Sequence, residues 1–218
     1  MGAKKPNESM SKPMTEPNPE KIKRSRWLIL AMLAVIIIPS IGALILFVGG
    51  WRPDSTKNYG ELVVPARPLV NIQLQTLENK QIDETDLQRK WTLIYFATNS
   101  CGEDCQKNLY NLRQIHIAQG KNQPRIRRML ILADNSFRNS AVKIRMDYPD
   151  LTIVGGSKMA VRNFVEQFRL PAGSPLEDKG RVYIIDPLGN LMMSYPAGSD
   201  PTGIRKDLSR LLYVSHIG

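Results

Sequence analysis

Residues Trp91–Cys105 read WTLIYFATNSCGEDC and carry both cysteines of the 218-residue chain, directly after a continuous apolar run. The run Trp91–Ala97 has the length of a strand, and its continuity is expected where both faces of the strand are buried in a sheet. Behind the second cysteine, leucine and isoleucine recur at helical spacing as far as Gly120, where a glycine favours the end of a helix. This stretch therefore predicts a buried strand, a short loop with the first cysteine, and a helix.

Strand and helix patterns continue to alternate on both sides of this stretch. Strands are predicted at Leu69–Thr76, Met129–Ala133, Leu151–Val154, Val182–Ile185 and Leu191–Tyr195, and helices at Asn139–Asp147, Lys158–Phe168 and Pro201–Val214. Such alternation predicts an α/β fold with a mixed sheet, and the closing strand, turn, strand and helix add antiparallel pairing. This order of elements is that of a thioredoxin-like domain.

A second apolar segment, Trp27–Val48, contains no charged residue. At 1.5 Å per residue it would be about 33 Å long as a helix, enough to cross the roughly 30 Å core of a bilayer. A cleaved signal peptide is the alternative, but the run is longer than a signal core and no Ala-x-Ala sequence precedes a suitable cleavage site. We predict a single N-terminal transmembrane helix.

Basic residues crowd the N-terminal side of this segment, whereas Arg52 stands alone on the other side. The positive-inside rule then keeps the N-terminus in the cytoplasm and exports the part of the chain after Val48. A tail rich in Pro, Lys, Glu and Ser is expected to be disordered, and clustered Gly and Pro indicate a linker. The predicted organisation is a disordered cytoplasmic tail at 1–26, a transmembrane helix at 27–48, a linker at 49–68 and an exported thioredoxin-like domain at 69–218.

The chain has 30 Lys+Arg and 20 Asp+Glu, which gives a net charge of +10. Removing the seven basic and three acidic residues of the tail leaves 23 and 17, a net charge of +6 for the rest. An exported domain with so modest a charge is not expected to bind nucleic acid. The basic cluster Arg125–Arg128 could face anionic lipid or an acidic partner, or could be an ordinary solvated surface.

Two cysteines are too few for a disulfide-rich scaffold or for a zinc site with four cysteine ligands. Cys101 and Cys105 are four residues apart, and on an ideal helix their Cα atoms would lie roughly 6 Å apart, within the range that a disulfide accepts. The pair can therefore close as a disulfide. Opened, it offers two thiolates to a soft metal ion, with Cu(I) favoured and zinc as the competitor.

The position of the pair also indicates how reactive it is. A helix N-terminus favours a thiolate, whereas the carboxylates of Glu103 and Asp104 between the two sulfurs disfavour it, so we do not expect a strongly activated nucleophile. A permanent structural disulfide is the alternative, but the loop that it closes is very short and gains the least in chain entropy.

These residues resemble the Sco (SenC) family of cytochrome oxidase assembly proteins. The resemblance lies in Leu93-Ile94-Tyr95-Phe96 followed by Cys101-x-x-x-Cys105 and a helix, and in the segment from Val182 to Gly189. It implies an N-terminal membrane anchor and an exported thioredoxin-like domain. It also implies copper binding by the two cysteines with a histidine, and delivery of copper to, or thiol reduction at, the binuclear copper site of oxidase subunit II.

The sequence departs from the family pattern in two places. Gln106 follows the second cysteine, where the family usually has Pro, and the position of the histidine ligand falls on Asp178. A carboxylate is a harder ligand than imidazole and suits Cu(I) poorly. Of the two histidines, His116 is about 16 Å along the helix from Cys105 and His216 is two residues from the end, so neither is expected to replace the ligand.

Three functions are compatible with this sequence. The first is a single-pass protein of the bacterial inner membrane, with its domain in the periplasm, that assists assembly of an oxidase copper centre. In it, Cys101 and Cys105 act as a redox pair or as weak copper ligands, with Asp178 at the position of the third ligand, and the partners are subunit II or other assembly factors. The second is a general membrane-tethered thiol–disulfide oxidoreductase. The third is an interaction module with an inert disulfide that binds through the surface around Arg125–Arg128.

Overall fold

The computed structural model describes residues 19–49, 58–97, 101–133 and 138–215, which fall into two compact units, 1–56 and 57–218. The first unit contains helix α1, Pro19–Val48. Among the described residues α1 is the one helix long and apolar enough to cross a membrane, with a mean hydropathy of 2.8 over Trp27–Val48. The helix begins eight residues before the predicted span, so residues 19–26 of the predicted tail belong to α1. The rest of that tail, residues 1–18, lies outside the described residues.

The second unit is built on one eight-stranded sheet. Its strands are β1 (Glu61–Pro68), β2 (Leu74–Thr76), β3 (Gln81–Ile82), β4 (Trp91–Ala97), β5 (Ile126–Leu132), β6 (Thr152–Gly155), β7 (Val182–Ile185) and β8 (Asn190–Tyr195). They lie in the order β1-β8-β7-β4-β5-β6-β2-β3. The pairs β4–β5 and β5–β6 are parallel and the other pairs are antiparallel, which confirms the predicted mixed sheet.

Helices cover both faces of this sheet. They are α2 (Glu84–Leu87), α3 (Glu103–Ile117), α4 (Arg138–Asp147), α5 (Lys158–Glu166) and α6 (Pro201–Val214), with a 3-10 turn at Gly120–Arg125. Helices α3, α4 and α6 pack on one face, where Leu109 and Leu208 are buried. Helix α5 packs on the other face, where Phe164 meets Phe96 of β4. Because β4 is covered on both sides, all seven of its residues are buried, as its apolar sequence predicts.

The N-terminal boundary of the domain differs from the prediction. The linker predicted for 49–68 is shorter, because Glu61–Pro68 forms β1 and pairs with β8 at the edge of the sheet. Two prolines in this segment concealed the strand, yet an edge strand tolerates proline because it leaves one row of backbone groups unpaired. The strand predicted at Leu69–Thr76 is reduced to its last three residues, which pair with β3 and β6.

The basic cluster Arg125–Arg128 does not form a single exposed surface. Arg125 donates hydrogen bonds to the carbonyl oxygens of Leu212 and Ser215, at 2.9 and 2.6 Å, near the end of α6. The Arg128 side chain is 1% exposed and its Nη2 lies 2.5 Å from Asp150 Oδ2. The four residues therefore do not offer the continuous basic surface that the interaction alternative needs, because the Arg128 side chain is buried.

Candidate functional site

Cys101 and Cys105 form a disulfide at the N-terminus of α3, with their Cα atoms 5.1 Å apart. Helix α3 begins close behind the carboxyl end of β4, where Ala133 N–H donates to Ala97 C=O at 3.0 Å and so joins the ends of β4 and β5. In α/β sheets, reactive groups are commonly held at the carboxyl ends of the strands. The cysteines lie at the place in the fold that the sequence predicts, and the pair is closed, one of the two states that the sequence allows.

The two sulfur-bearing residues differ in their access to solvent. Cys105 is 9% exposed and belongs to the buried cluster under α3, whereas Cys101 is half-buried and lies at the rim of that cluster. Gln106, in the place of the family's proline, donates its backbone N–H to Gly102 C=O at 3.0 Å and its side-chain amide to Cys101 C=O at 3.4 Å. An attacking thiol therefore meets Cys101 first, because its partner is shielded.

Tyr95 of β4 is hydrogen-bonded to Asn108, which lies in α3 one turn beyond Cys105. Burial raises the pKa of Tyr95, the hydrogen bond from Asn108 acts in the opposite direction, and the charge of Asp104 adds to the rise. Tyr95 belongs to the same apolar cluster as Cys105. The surroundings of the disulfide are thus an apolar floor with an exposed acidic rim formed by Glu103 and Asp104.

The loop 174–181 reaches this edge of the sheet because Val182, the first residue of β7, pairs with Tyr95 near the end of β4. Gly180 has a φ of +96°, which favours glycine, and a Cβ there would lie 3.2 Å from Ala197 Cβ and 3.6 Å from Asn108 Nδ2. A cavity of about 20 Å³, room for about one water molecule, lies between this glycine and Asn108. The loop with the family's histidine position therefore runs beside the cysteine helix.

Asp178, at that histidine position, is bound to an arginine. Arg181 Nε lies 2.5 Å from Asp178 Oδ2, and its Nη1 contacts Glu61 Oε2 and donates to Ser194 Oγ at 2.9 Å. The Arg181 side chain is 4% exposed. Burial alone would lower its pKa, but the hydrogen bonds and charges of Asp178 and Glu61 carry the pKa of Arg181 above its usual value.

The donor set does not fit a metal ion in this form of the protein. Sulfurs joined to each other are not thiolates, and the carboxylate of Asp178 is held by Arg181. Within the described part of the chain, no group of three or more His, Cys, Asp or Glu side chains could hold a metal. His116 lies at the far end of α3, where its Nε2 donates to Gln123 C=O at 3.0 Å, and His216 lies outside the described residues.

Sequence reasoning missed the residues that surround the pair. The spacing of Asp178 and Arg181 is a readable signal for an ion pair, but Glu61 lies 120 residues from Arg181 and gives none. Tyr95 was recognised only as part of a strand, because its contact with Asn108 depends on the angle at which α3 crosses β4.

The fold is that of solved Sco proteins. Yeast Sco1 with copper bound is 16% identical, with a TM-score of 0.59 over 68% of this chain and 96% of that one. Apo Sco1 from Thermus thermophilus is 19% identical, with a TM-score of 0.57 over 73% and 99%. BsSco, described as a Sco-family cytochrome c oxidase assembly protein with a disulfide switch, is 15% identical, with a TM-score of 0.54 over 69% and 96%.

These identities show a shared fold, and they confirm the predicted Sco-like, thioredoxin-like architecture. No curated protein sequence matches the chain. One family model, described as the transmembrane-like, thioredoxin-like, C-terminal domain, matches residues 91–215, which is more than half of the chain. The matched segment starts at β4 and includes both cysteines, the loop 174–181 and α6. The chain therefore belongs to the transmembrane-like, thioredoxin-like C-terminal domain family.

Proposed function

We propose that this chain is a membrane-anchored Sco-like protein that assists assembly of a cytochrome oxidase copper centre by thiol–disulfide exchange at Cys101 and Cys105. The observation that carries the proposal is the disulfide at the N-terminus of α3, with one half-buried sulfur and one shielded sulfur. Solved proteins of the same fold include copper-bound Sco proteins and a cytochrome c oxidase assembly protein with a disulfide switch, which supports a cytochrome oxidase as the target of this exchange.

The exchange would proceed through Cys101. A partner thiolate attacks the Cys101 sulfur, the bond between the two cysteines breaks, and Cys105 leaves as a thiolate that takes up a proton. The partner's second thiolate then attacks the mixed disulfide and releases Cys101. Two electrons pass from the partner to the domain, which ends as a dithiol while the partner ends as a disulfide, and the reverse sequence reduces a partner disulfide.

The test uses the oxidised full chain and the reduced, copper-free copper domain of an oxidase subunit II. Loss of two thiols from the partner and gain of two by the chain is the expected result. In the reverse direction, a Cys105→Ser variant mixed with the disulfide form of the partner should accumulate a mixed disulfide, because the Cys101 thiolate attacks the partner's disulfide and releases one partner thiol. A Cys101→Ser variant is the matched control, because its remaining cysteine is shielded. If the oxidised chain leaves the partner's thiols intact, the proposal is wrong.

A general oxidoreductase is the second candidate, favoured by the lack of a built metal site among the described residues. Insulin separates a general oxidoreductase from an assembly factor, since a general enzyme reduces its disulfides at a useful rate and a dedicated assembly factor does not.

Copper would be the cargo of the reduced cysteine pair. After reduction, Cys101 and Cys105 offer two soft thiolates for Cu(I), and Asp178 becomes a ligand only if it leaves Arg181. Cu(I) titration of the reduced chain and of Cys101→Ser measures this binding.

We also propose that the chain lies in a bacterial inner membrane with its N-terminus in the cytoplasm and the part of the chain after Val48 in the periplasm. The charge difference across α1 supports this orientation. A membrane-impermeant thiol reagent should label reduced Cys101 in intact spheroplasts. Labelling only after lysis would reverse the orientation.

A further inference from the structure

We propose that Glu103 and Asp104 make the disulfide selective for charge, so that it exchanges preferentially with protein thiol pairs flanked by Lys or Arg. The inference rests on the thiol–disulfide exchange proposed above and names the class of partner for that site.

The two carboxylates occupy the first turn of α3, between the two cysteines in sequence, and both side chains are exposed. Neither has an ion-pair partner within 4 Å among the side chains of residues 58–97, 101–133 and 141–215. Lys107, one helical turn further along, is also exposed and pairs with neither of them. Their negative charge therefore faces whatever approaches Cys101.

The charge of Asp104 lies close to the disulfide. Asp104 lies inside the five-residue loop that the disulfide closes, adjacent in sequence to Cys105, and the Cα atoms at the two ends of this loop are 5.1 Å apart. It acts electrostatically on Tyr95, which packs in the same cluster as Cys105. A partner side chain close enough to exchange with Cys101 is thus close enough to feel this charge.

The size of the effect follows from Coulomb's law. At a separation of about 7 Å in water, one unit charge changes the encounter rate of another by roughly threefold. Two carboxylates should therefore favour a singly cationic thiol over a neutral one by up to about tenfold, reduced somewhat by the partial positive charge of the helix N-terminus. The preference should shrink at high salt, because exposed charges are screened.

The experiment compares three dithiol peptides with the same two cysteines, flanked by Lys, by Ser or by Glu. Each peptide reduces the oxidised full chain in uncharged detergent, and alkylation of the new thiols gives the rate. Each rate is divided by the rate of the same peptide with hydroxyethyl disulfide, which removes differences in intrinsic thiol reactivity. We expect the order Lys, Ser, Glu, with about tenfold or more between the first and the last at low salt.

The Glu103→Gln/Asp104→Asn variant should compress this ratio to about threefold or less. Asp147→Asn is the matched charge control, because its exposed side chain lies at the end of α4, on the side of the domain where Asp150 meets the start of β5. Equal normalised rates for the three peptides, or a ratio unchanged in the double variant, would overturn the selectivity while leaving exchange intact. Failure of all three peptides to reduce the chain would overturn the exchange itself.

Discussion

Replacing Arg181 with Met tests whether the buried arginine holds the loop 174–181 beside the disulfide. The guanidinium contacts two carboxylates and the Ser194 hydroxyl, and its side chain is 4% exposed. Breaking a buried ion pair by removing one partner costs about 3–5 kcal/mol. Here the stranded carboxylates can hydrate, because the Glu61 and Asp178 side chains are 54% and 24% exposed, so we expect a loss of about 2–3 kcal/mol.

The loss is measured by urea unfolding of the full chain at constant detergent concentration. With a slope of about 2 kcal/mol/M, the midpoint of the domain should fall by about 1–1.5 M. Hydrogen exchange should rise at the amides of 177 and 178, which donate to the Ser174 carbonyl, and should stay unchanged in α5.

Arg169→Met is the matched control. Arg169 also pairs with two carboxylates, Glu166 and Glu177, but its side chain is 49% exposed. Exposed ion pairs contribute little to stability. Equal shifts of the midpoint for the two variants would refute the reasoning, because the ion pairs of the buried Arg181 would then stabilise the domain no more than those of the exposed Arg169.

Three further results are expected. Although burial alone would raise it, the hydrogen bond and charge of Arg128 hold the pKa of Asp150 below its usual value. Its contribution to stability is present above about pH 4 and lost as the pH falls through the lower pKa of the folded state, so Asp150→Asn should flatten the fall in unfolding free energy below about pH 4. Burial raises the pKa of Tyr95, Tyr183 and Tyr195, so three of the seven tyrosines should show phenolate absorbance only on alkaline unfolding. Gly203→Ala should cost about 1–3 kcal/mol in the same urea assay, because the new Cβ would lie 2.9 Å from the Tyr59 side chain.

The strands that could be predicted from sequence are those at the centre of the sheet. Trp91–Ala97 and Val182–Ile185 were predicted with their observed ends, because burial on both faces demands a continuous apolar run. The edge strands could not be predicted in the same way. Glu61–Pro68 is largely exposed and contains proline, and Gln81–Ile82 has two residues, too few to show a period.

The candidate site was likewise predictable only where its contacts are local. Two cysteines four residues apart at the start of a helix are close enough to pair, and the structure closes them with their Cα atoms 5.1 Å apart. The spacing of Asp178 and Arg181 indicates their ion pair. The other two partners of Arg181 could not be predicted, since Glu61 and Ser194 reach the guanidinium through the pairing of β1 with β8 and of β8 with β7.

Asp178 and Arg181 depend on each other, and this dependence limits what residue 178 can be. The buried guanidinium needs carboxylates to offset its lost hydration, and Asp178 is the more shielded of the two that it has. A neutral imidazole at 178 would remove one negative charge from this cluster, and a protonated one would add a positive charge beside Arg181. A soft nitrogen ligand at position 178 is therefore incompatible with a buried arginine at 181 unless the latter also changes. The chemistry left to this edge of the sheet is that of the two sulfurs and the carboxylates beside them.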